Sequence, residues 1–156
     1  MSIAVFPGSF DPITIGHLDI IRRAAQVFDK IYVAILDNPG KESEFTVEER
    51  LELINDAIKD IPNAVADSSA GLLVDYCRDV GANVIIRGLR NGSDVEYEAM
   101  LEAVNTRIAP EISTVYLISK GEHAHISSSL VRQLIQIGIS IDGLVPNADH
   151  IILRRE

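Results

Sequence analysis

The stretch IAVFPGSFDPITIGHLDII, residues 3–21, decides how this chain is read. Its first four residues, Ile3-Ala4-Val5-Phe6, make an apolar run of the length and composition of a strand covered on both faces. Pro7 and Gly8 are expected to stop that run, since one lacks an N–H and the other allows unusual backbone angles. From Ile13 the apolar positions change period, and Leu18, Ile20, Ile21, Ala24, Ala25 and Phe28 recur at helical spacing. Strand, glycine turn and helix in that order form a corner suited to phosphate. The helix N-terminus there presents unpaired N–H groups and the positive end of a dipole. Thr14 and His17 open this helix, and Gly16 between them leaves room for close approach. A hydroxyl, an imidazole and free amides at one helix mouth can hold and activate phosphate.

Working outward, residues 30–36 read as a second buried strand, closed by the turn signal Asp37-Asn38-Pro39-Gly40, with Lys41 just beyond. Thr46-Val47-Glu48-Glu49 forms a capping box that opens a helix running to about residue 60. Residues 64–66 make a weak third strand, and residues 71–80 a helix that Gly81 ends. A short fourth strand, 83–86, leads at once into Arg87-Gly88-Leu89-Arg90. Residues 94–108 have helical spacing and 114–118 form a fifth strand. A helix over 127–137 carries serines as cap candidates and Gly138 as terminator, and 146–154 predicts a short final helix. This alternation predicts one α/β domain over residues 1–156, built on a single doubly wound parallel sheet with right-handed crossovers. No G-x-G-x-x-G follows the first strand, which speaks against the NAD-binding version of such a sheet.

Composition narrows the functions. A net charge of −9 argues against nucleic acid as partner, which calls for a broad basic surface. A hydrophobic share of 47% is rich for 156 residues; a fully buried parallel sheet accounts for it, and so does burial between subunits. No apolar run approaches the ~18 residues of a membrane helix, and the N-terminus shows no charged leader, so a cytoplasmic protein is expected. The single cysteine, Cys77, excludes an internal disulfide framework and zinc-finger spacing, and reads as a structural thiol rather than a nucleophile.

Basic and hydroxyl residues recur just after strands: Ser9 and His17, then Lys41, then Arg87 and Arg90, then Ser127, Ser128 and Ser129. In a parallel sheet these loops share one edge. Singly, such residues are solvated cations or helix caps; gathered in an acidic chain they predict a local phosphate site. Phosphoryl and nucleotidyl transfer ask for little else, since two anions must be brought together and the developing charge neutralised. His123-Ala124-His125 has the look of a metal pair without a third ligand nearby, so structural or nucleotide-contacting histidines are expected, and His150 reads as surface.

Thr14-Ile15-Gly16-His17 after Gly8-Ser9-Phe10-Asp11-Pro12 resembles the T/HxGH signature of the nucleotidyltransferase superfamily. Ile86-Arg87-Gly88-Leu89-Arg90, Glu96-Tyr97-Glu98 and Ile126-Ser127-Ser128-Ser129 follow in an order and spacing that resemble the bacterial phosphopantetheine adenylyltransferase family over nearly the whole chain. The resemblance implies a Rossmann-like five-stranded sheet in the order 3-2-1-4-5, helices on both faces and a site at its C-terminal edge. It implies the penultimate step of coenzyme A biosynthesis: the adenylyl group of ATP passes to 4′-phosphopantetheine, giving dephospho-coenzyme A and pyrophosphate. Mg²⁺ accompanying ATP, a homohexamer and coenzyme A as a feedback ligand are implied as well; no dedicated metal ligands are.

By position, the resemblance makes His17 the catalytic residue, binding ATP and stabilising the transition state. Ser9 matches a hydroxyl near both substrates, with Phe10 on the nucleotide side. Lys41, Arg87 and the apolar Leu73 match phosphopantetheine contacts. Gly88, Leu89, Arg90 and Glu98 match ATP positions, as do His123, Ala124, His125, Ile126, Ser127, Ser128 and Ser129. The chain departs from the pattern at Ile15, where relatives commonly have asparagine, and at His123, where an aromatic residue is frequent. Two other readings stay open: a cytidylyltransferase or pyridine-nucleotide adenylyltransferase, and a non-catalytic nucleotide-binding or sensing module on the same fold. An intact His17 with Lys41 and Arg87 favours an enzyme, since a sensor has no need of a transition-state group.

Overall fold

Alternating apolar runs and helical periods resolve into a five-stranded sheet in the order β3-β2-β1-β4-β5, as expected. The structure is a computed structural model that describes residues 1–37 and 39–153. Strands β1 (Ile3–Gly8), β2 (Lys30–Leu36), β3 (Ala64–Ser69), β4 (Val84–Leu89) and β5 (Ser113–Ile118) all pair in parallel. The crossovers are α1 (Ile15–Ala25), α2 (Val47–Ala57), α3 (Leu73–Val80) and α4 (Gly92–Ile108), and α5 (Ser128–Gln136) and α6 (Ala148–Leu153) follow β5.

The unbroken apolar runs are explained by cores on both sides of the sheet. Ala4, Phe6, Ile31, Val33, Ile35 and Ile86 join one core with Ile20 and Ile21 of α1, Leu53 and Ile54 of α2, and Val131 of α5. The alternate residues Val5, Ala34 and Ile85 join the other, with Val74, Tyr76 and Cys77 of α3. Burial raises the Cys77 thiol to a pKa of about 11, so it stays protonated and serves as packing. Helix α4 is different: Glu98 is its one buried residue, while Val95, Tyr97, Met100, Val104 and Ile108 are exposed.

Several boundaries depart from expectation, and each has a local cause. β1 does not stop at Phe6, because Pro7 and Gly8 still pair with Ala34 and Ile35 of β2. Its ladder to β4 covers only Ala4–Val84 and Val5–Ile85, so Pro7 lies where no β4 partner calls for its missing N–H. β3 extends to Ser69 because Asp67, Ser68 and Ser69 pair on as an edge strand with β2, and polar residues suit that place. β4 runs through Arg87 and Gly88 to Leu89, paired with Tyr116, Leu117 and Ile118, so Arg87 is a strand residue rather than a loop residue. α2 ends at Ala57, short of residue 60, in a turn where Ile61 N–H bonds the Ile58 carbonyl. Gly81 ends α3 at φ +73°, as its expected stop role requires. The final helix begins at Ala148, and the expected end at Arg154 lies outside the described residues.

Candidate active site

The β1–β4 ladder ends early while β1 runs on beside β2, so the sheet opens at its C-terminal edge between β1 and β4. This is where the winding direction reverses, the usual ligand crevice of an open α/β sheet. A cavity of about 590 Å³ lies there, lined by the ends of β1 and β4 and the first turns of α1, α4 and α5. It brings together Ser9, Phe10, His17, Lys41, Arg87, Gly88, Arg90, Glu98, His123, Ile126 and Ser127 to Ser129. Four of the predicted residues do not line it: Leu73, Leu89, Ala124 and His125. Leu73 packs instead against the α3 core, on the other face of the sheet.

Local chemistry sets His17. Thr14 caps α1, its hydroxyl accepting from the His17 N–H at 3.3 Å, while His17 Nδ1 accepts from the Thr14 N–H at 3.0 Å. The histidine thus stands in the place of the glutamate of a capping box. With Nδ1 an acceptor, the neutral ring carries its proton on Nε2. Burial and then the nearby Arg90 charge lower its pKa from 6.5 to about 4, so the ring is neutral at working pH. Phe6 and Phe10 meet it edge-on, with ring centroids 6.2 and 5.0 Å away.

That depressed pKa fixes the sign of a stability effect. An unfolded chain takes up the His17 proton near pH 6.5, the folded one only near pH 4. Stability from this group is therefore complete above pH 6.5 and is lost as pH falls toward 4. Thermal melts at pH 7 and pH 5 should show a smaller acid loss in His17→Asn than in the unsubstituted protein; equal losses would count against a buried neutral ring.

The turn after β1 is held from three sides. Phe10 takes φ +46°, and its ring lies 3.1 Å from where a Gly8 side chain would begin, so Gly8 gives the ring its place. Arg50 Nη1 donates to the Ser9 carbonyl, Arg132 Nη1 to the Asp11 carbonyl and Ser128 Oγ to the Pro12 carbonyl, at 2.9, 2.7 and 2.8 Å. The buried Asp11 carboxylate accepts from the Glu44 and Phe45 N–H groups, both at 2.9 Å. Ser127 caps α5 through the Leu130 N–H, and Ser129 accepts from Arg132. The serine hydroxyls therefore build the α5 mouth, and its first-turn amides are what it can offer an anion.

Arg87 and Glu98, expected to serve different substrates, form one ion pair across the cavity wall. Arg87 Nη2 and Nε reach Glu98 oxygens at 2.8 and 3.0 Å, a side-on pairing in which a ligand would meet the Nη1 end. Arg90 leans on Asp94, which accepts its backbone N–H at 2.8 Å. Arg132, Asp94 and Ser119 also line the cavity and went unpredicted. For Arg132 a signal existed: it stands three and four residues after Ser129 and Ser128, on the same face of α5. Lys41, Arg87, Arg90 and Arg132 against Asp94 and Glu98 leave the cavity net positive in an acidic protein. A second cavity of about 430 Å³, beside Asp56, Asp142, Asp149 and His150, is acidic and unsuited to phosphate.

Ile15 does not line the cavity, and its N–H bonds the Leu144 carbonyl at 3.0 Å. Ile15→Asn should therefore change turnover by less than about tenfold, roughly 1.4 kcal/mol, in a variant that still melts cooperatively. A larger loss of kcat would give that side chain a part in the chemistry. His123 sits over the start of α1, its Cβ 3.8 Å from where a Gly16 side chain would begin. Its buried Nδ1 has no partner among the described residues.

This arrangement has relatives. The cytidylyltransferase-like family profile matches residues 5–134. The phosphopantetheine adenylyltransferase of Symbiobacterium thermophilum is 54% identical over 143 residues, covering 92% of this chain and 88% of that one. That of Clostridium tetani is 49% identical over 147 residues, covering 94% and 92%. A solved structure from Vibrio parahaemolyticus, assigned as a nicotinate-nucleotide adenylyltransferase, matches with TM-score 0.70 over 99% of this chain and 93% of that one. At 17% identity it shows the shared fold alone. With about half its residues shared along nearly its entire length, and with the fold and the α1-mouth histidine in place, the chain belongs to the phosphopantetheine adenylyltransferase family of cytidylyltransferase-like enzymes.

Proposed function

We propose that this adenylyltransferase joins the adenylyl group of ATP to the phosphate of 4′-phosphopantetheine, giving dephospho-coenzyme A and pyrophosphate. The observation that carries the reading is one cavity holding His17 at the α1 mouth with four cations, in a chain of net charge −9. The names of the relatives supply the acceptor. An acceptor phosphate oxygen forms a bond to the α-phosphorus as the bond from that phosphorus to the α,β-bridging oxygen breaks, and pyrophosphate leaves with that oxygen. A phosphate is already ionised near neutral pH, its second pKa being about 6, so no general base is called for. Lys41 and Arg87 would hold the acceptor phosphate. Arg90, Arg132 and the α5 amides would hold the triphosphate, with Ser9, Phe10, Gly88 and the wall from His123 to Ser129 around the nucleotide. His17 Nε2–H would donate to the oxygens gathering charge on the α-phosphorus.

Mg²⁺ would arrive on the triphosphate and add charge neutralisation there. The cavity carboxylates Asp94 and Glu98 are engaged by Arg90 and Arg87, and no group of three or more metal-ligating side chains occurs among the described residues. Self-association, as a hexamer, would cover the apolar face of α4; light scattering should then read six chains per particle. Coenzyme A, which contains the pantetheine arm and an adenine nucleotide, would compete in the same cavity. Among the described residues no helix is long and apolar enough to cross a membrane, and the reading places the enzyme in the cytoplasm.

The test is pyrophosphate release from ATP with phosphopantetheine, nicotinamide mononucleotide or a sugar phosphate. Release with phosphopantetheine alone is expected. Release with another acceptor instead would overturn the substrate, and ATP binding with no release would favour a nucleotide sensor.

A further inference from the structure

We propose that Arg50, outside the cavity, is a positioning residue that fixes the Lys41-bearing segment against the Ser9 turn, and so sets acceptor affinity. The proposal rests on the phosphopantetheine reading above. Arg50 is 3% exposed, in the first turn of α2, and spends its whole guanidinium on backbone and carboxylate oxygens of two chain segments. Nη1 donates to the Ser9 carbonyl at 2.9 Å, Nε to the Thr46 carbonyl at 3.3 Å, and Nη2 lies 3.5 Å from Asp37 Oδ1. Asp37 begins the segment after β2 and Thr46 ends it; Lys41 stands between them. One planar cation therefore grips both ends of the segment that carries Lys41, and with its third edge grips the turn that carries Ser9.

Asp11 makes the same connection from the other side, accepting from Glu44 and Phe45. A lysine could keep the charge beside Asp37 but could not reach three acceptors in one plane. Holding the segment this way matters because Lys41 is exposed and lines the cavity from a stretch whose described residues form no helix or strand. Misplacement of a binding group by about 1 Å is enough to cost up to about a hundredfold.

The experiment compares Arg50→Gln, Arg50→Lys and Asp37→Asn in steady-state assays of pyrophosphate release, varying each substrate in turn. KM is independent of how much of a sample is folded, so a purely structural role would lower the melting temperature and the apparent kcat and leave KM alone. The expected result is a rise of about tenfold or more in phosphopantetheine KM for Arg50→Gln, with ATP KM within about threefold. Arg50→Lys should recover part of that rise. Asp37 is 41% exposed at its side chain, so Asp37→Asn should fold normally and still raise phosphopantetheine KM several-fold, in the same direction. Unchanged KM values in Asp37→Asn and in folded Arg50 variants, or equal rises for both substrates, would overturn the positioning role. Absence of phosphopantetheine-dependent release in the unsubstituted protein would instead overturn the functional reading, and the acceptor named here with it.

Discussion

Replacing His17 with alanine is expected to lower turnover by about 10²–10³, or roughly 2.7–4 kcal/mol, while ATP affinity falls far less. The ring is held from behind by the Thr14 N–H on Nδ1, so its proton is on Nε2 and its position is set before substrate arrives. A pKa of about 4 keeps it a neutral donor, and it has no need to deprotonate an already ionised phosphate. Such a donor gains most when charge builds on the oxygens about the α-phosphorus, so its loss appears in the transition state more than in the ground state. Under the proposed reading, ground-state ATP would still have Arg90, Arg132 and the α5 mouth, which line the same cavity. Single-turnover rates and direct ATP titration separate the two effects. If affinity collapses and the rate at saturation survives, His17 is a binding residue. The pH dependence follows from the same shift: between pH 6 and 8 His17 should add no inflection to kcat, and a fall attributable to it should begin only as pH approaches 4.

The alternation of strands and helices and the strand–turn–helix corner over residues 3–21 were legible because they rest on local patterns, whereas the strand order came from the family resemblance and not from any pattern in the chain. The period changes from strand to helix between Phe6 and Leu18, and glycine and histidine mark the α1 mouth within four residues of each other. The strand ends were less so. Pro7 reads as a stop only if both neighbours want a hydrogen bond, and the shortness of the β1–β4 ladder is a property of the sheet rather than of the dipeptide. The ties that shape the site were hidden by distance: Arg50 to Ser9 spans 41 residues and Arg132 to Asp11 spans 121. No short-range pattern couples such pairs, since chain folding brings them together. The helical spacing of residues 94–108 likewise gave no sign of which face is covered, and in the fold Val95, Met100 and Val104 are exposed while Glu98 is buried.

Arg87→Ala is expected to weaken phosphopantetheine by about 10- to 150-fold, the roughly 1.5–3 kcal/mol of one charge-assisted phosphate contact, and to destabilise the fold as well. The loss of affinity would come from the phosphate contact, and the loss of stability from the pairing with Glu98. That glutamate is 7% exposed, and without Arg87 its carboxylate is left in the wall without a counter-ion. Stranding one member of a buried pair can cost about 3–5 kcal/mol; Arg87 itself is 27% exposed at its side chain, which places the loss below that range. Arg87→Met combined with Glu98→Gln tells the two apart, since it removes the stranded charge along with the phosphate contact. The double variant should recover most of the lost melting temperature and none of the lost acceptor affinity. Lys41→Ala, at an exposed residue with no ion-pair partner among the described residues, should weaken phosphopantetheine similarly and leave the melting temperature unchanged. Titration of each substrate against each variant decides the matter. Equal losses for ATP and phosphopantetheine in Lys41→Ala and Arg87→Ala would mean that the two cations do not divide the cavity between donor and acceptor. Acceptor affinity recovered together with stability in the double variant would mean that Arg87 acts through Glu98 and the wall it braces, with no phosphate contact of its own.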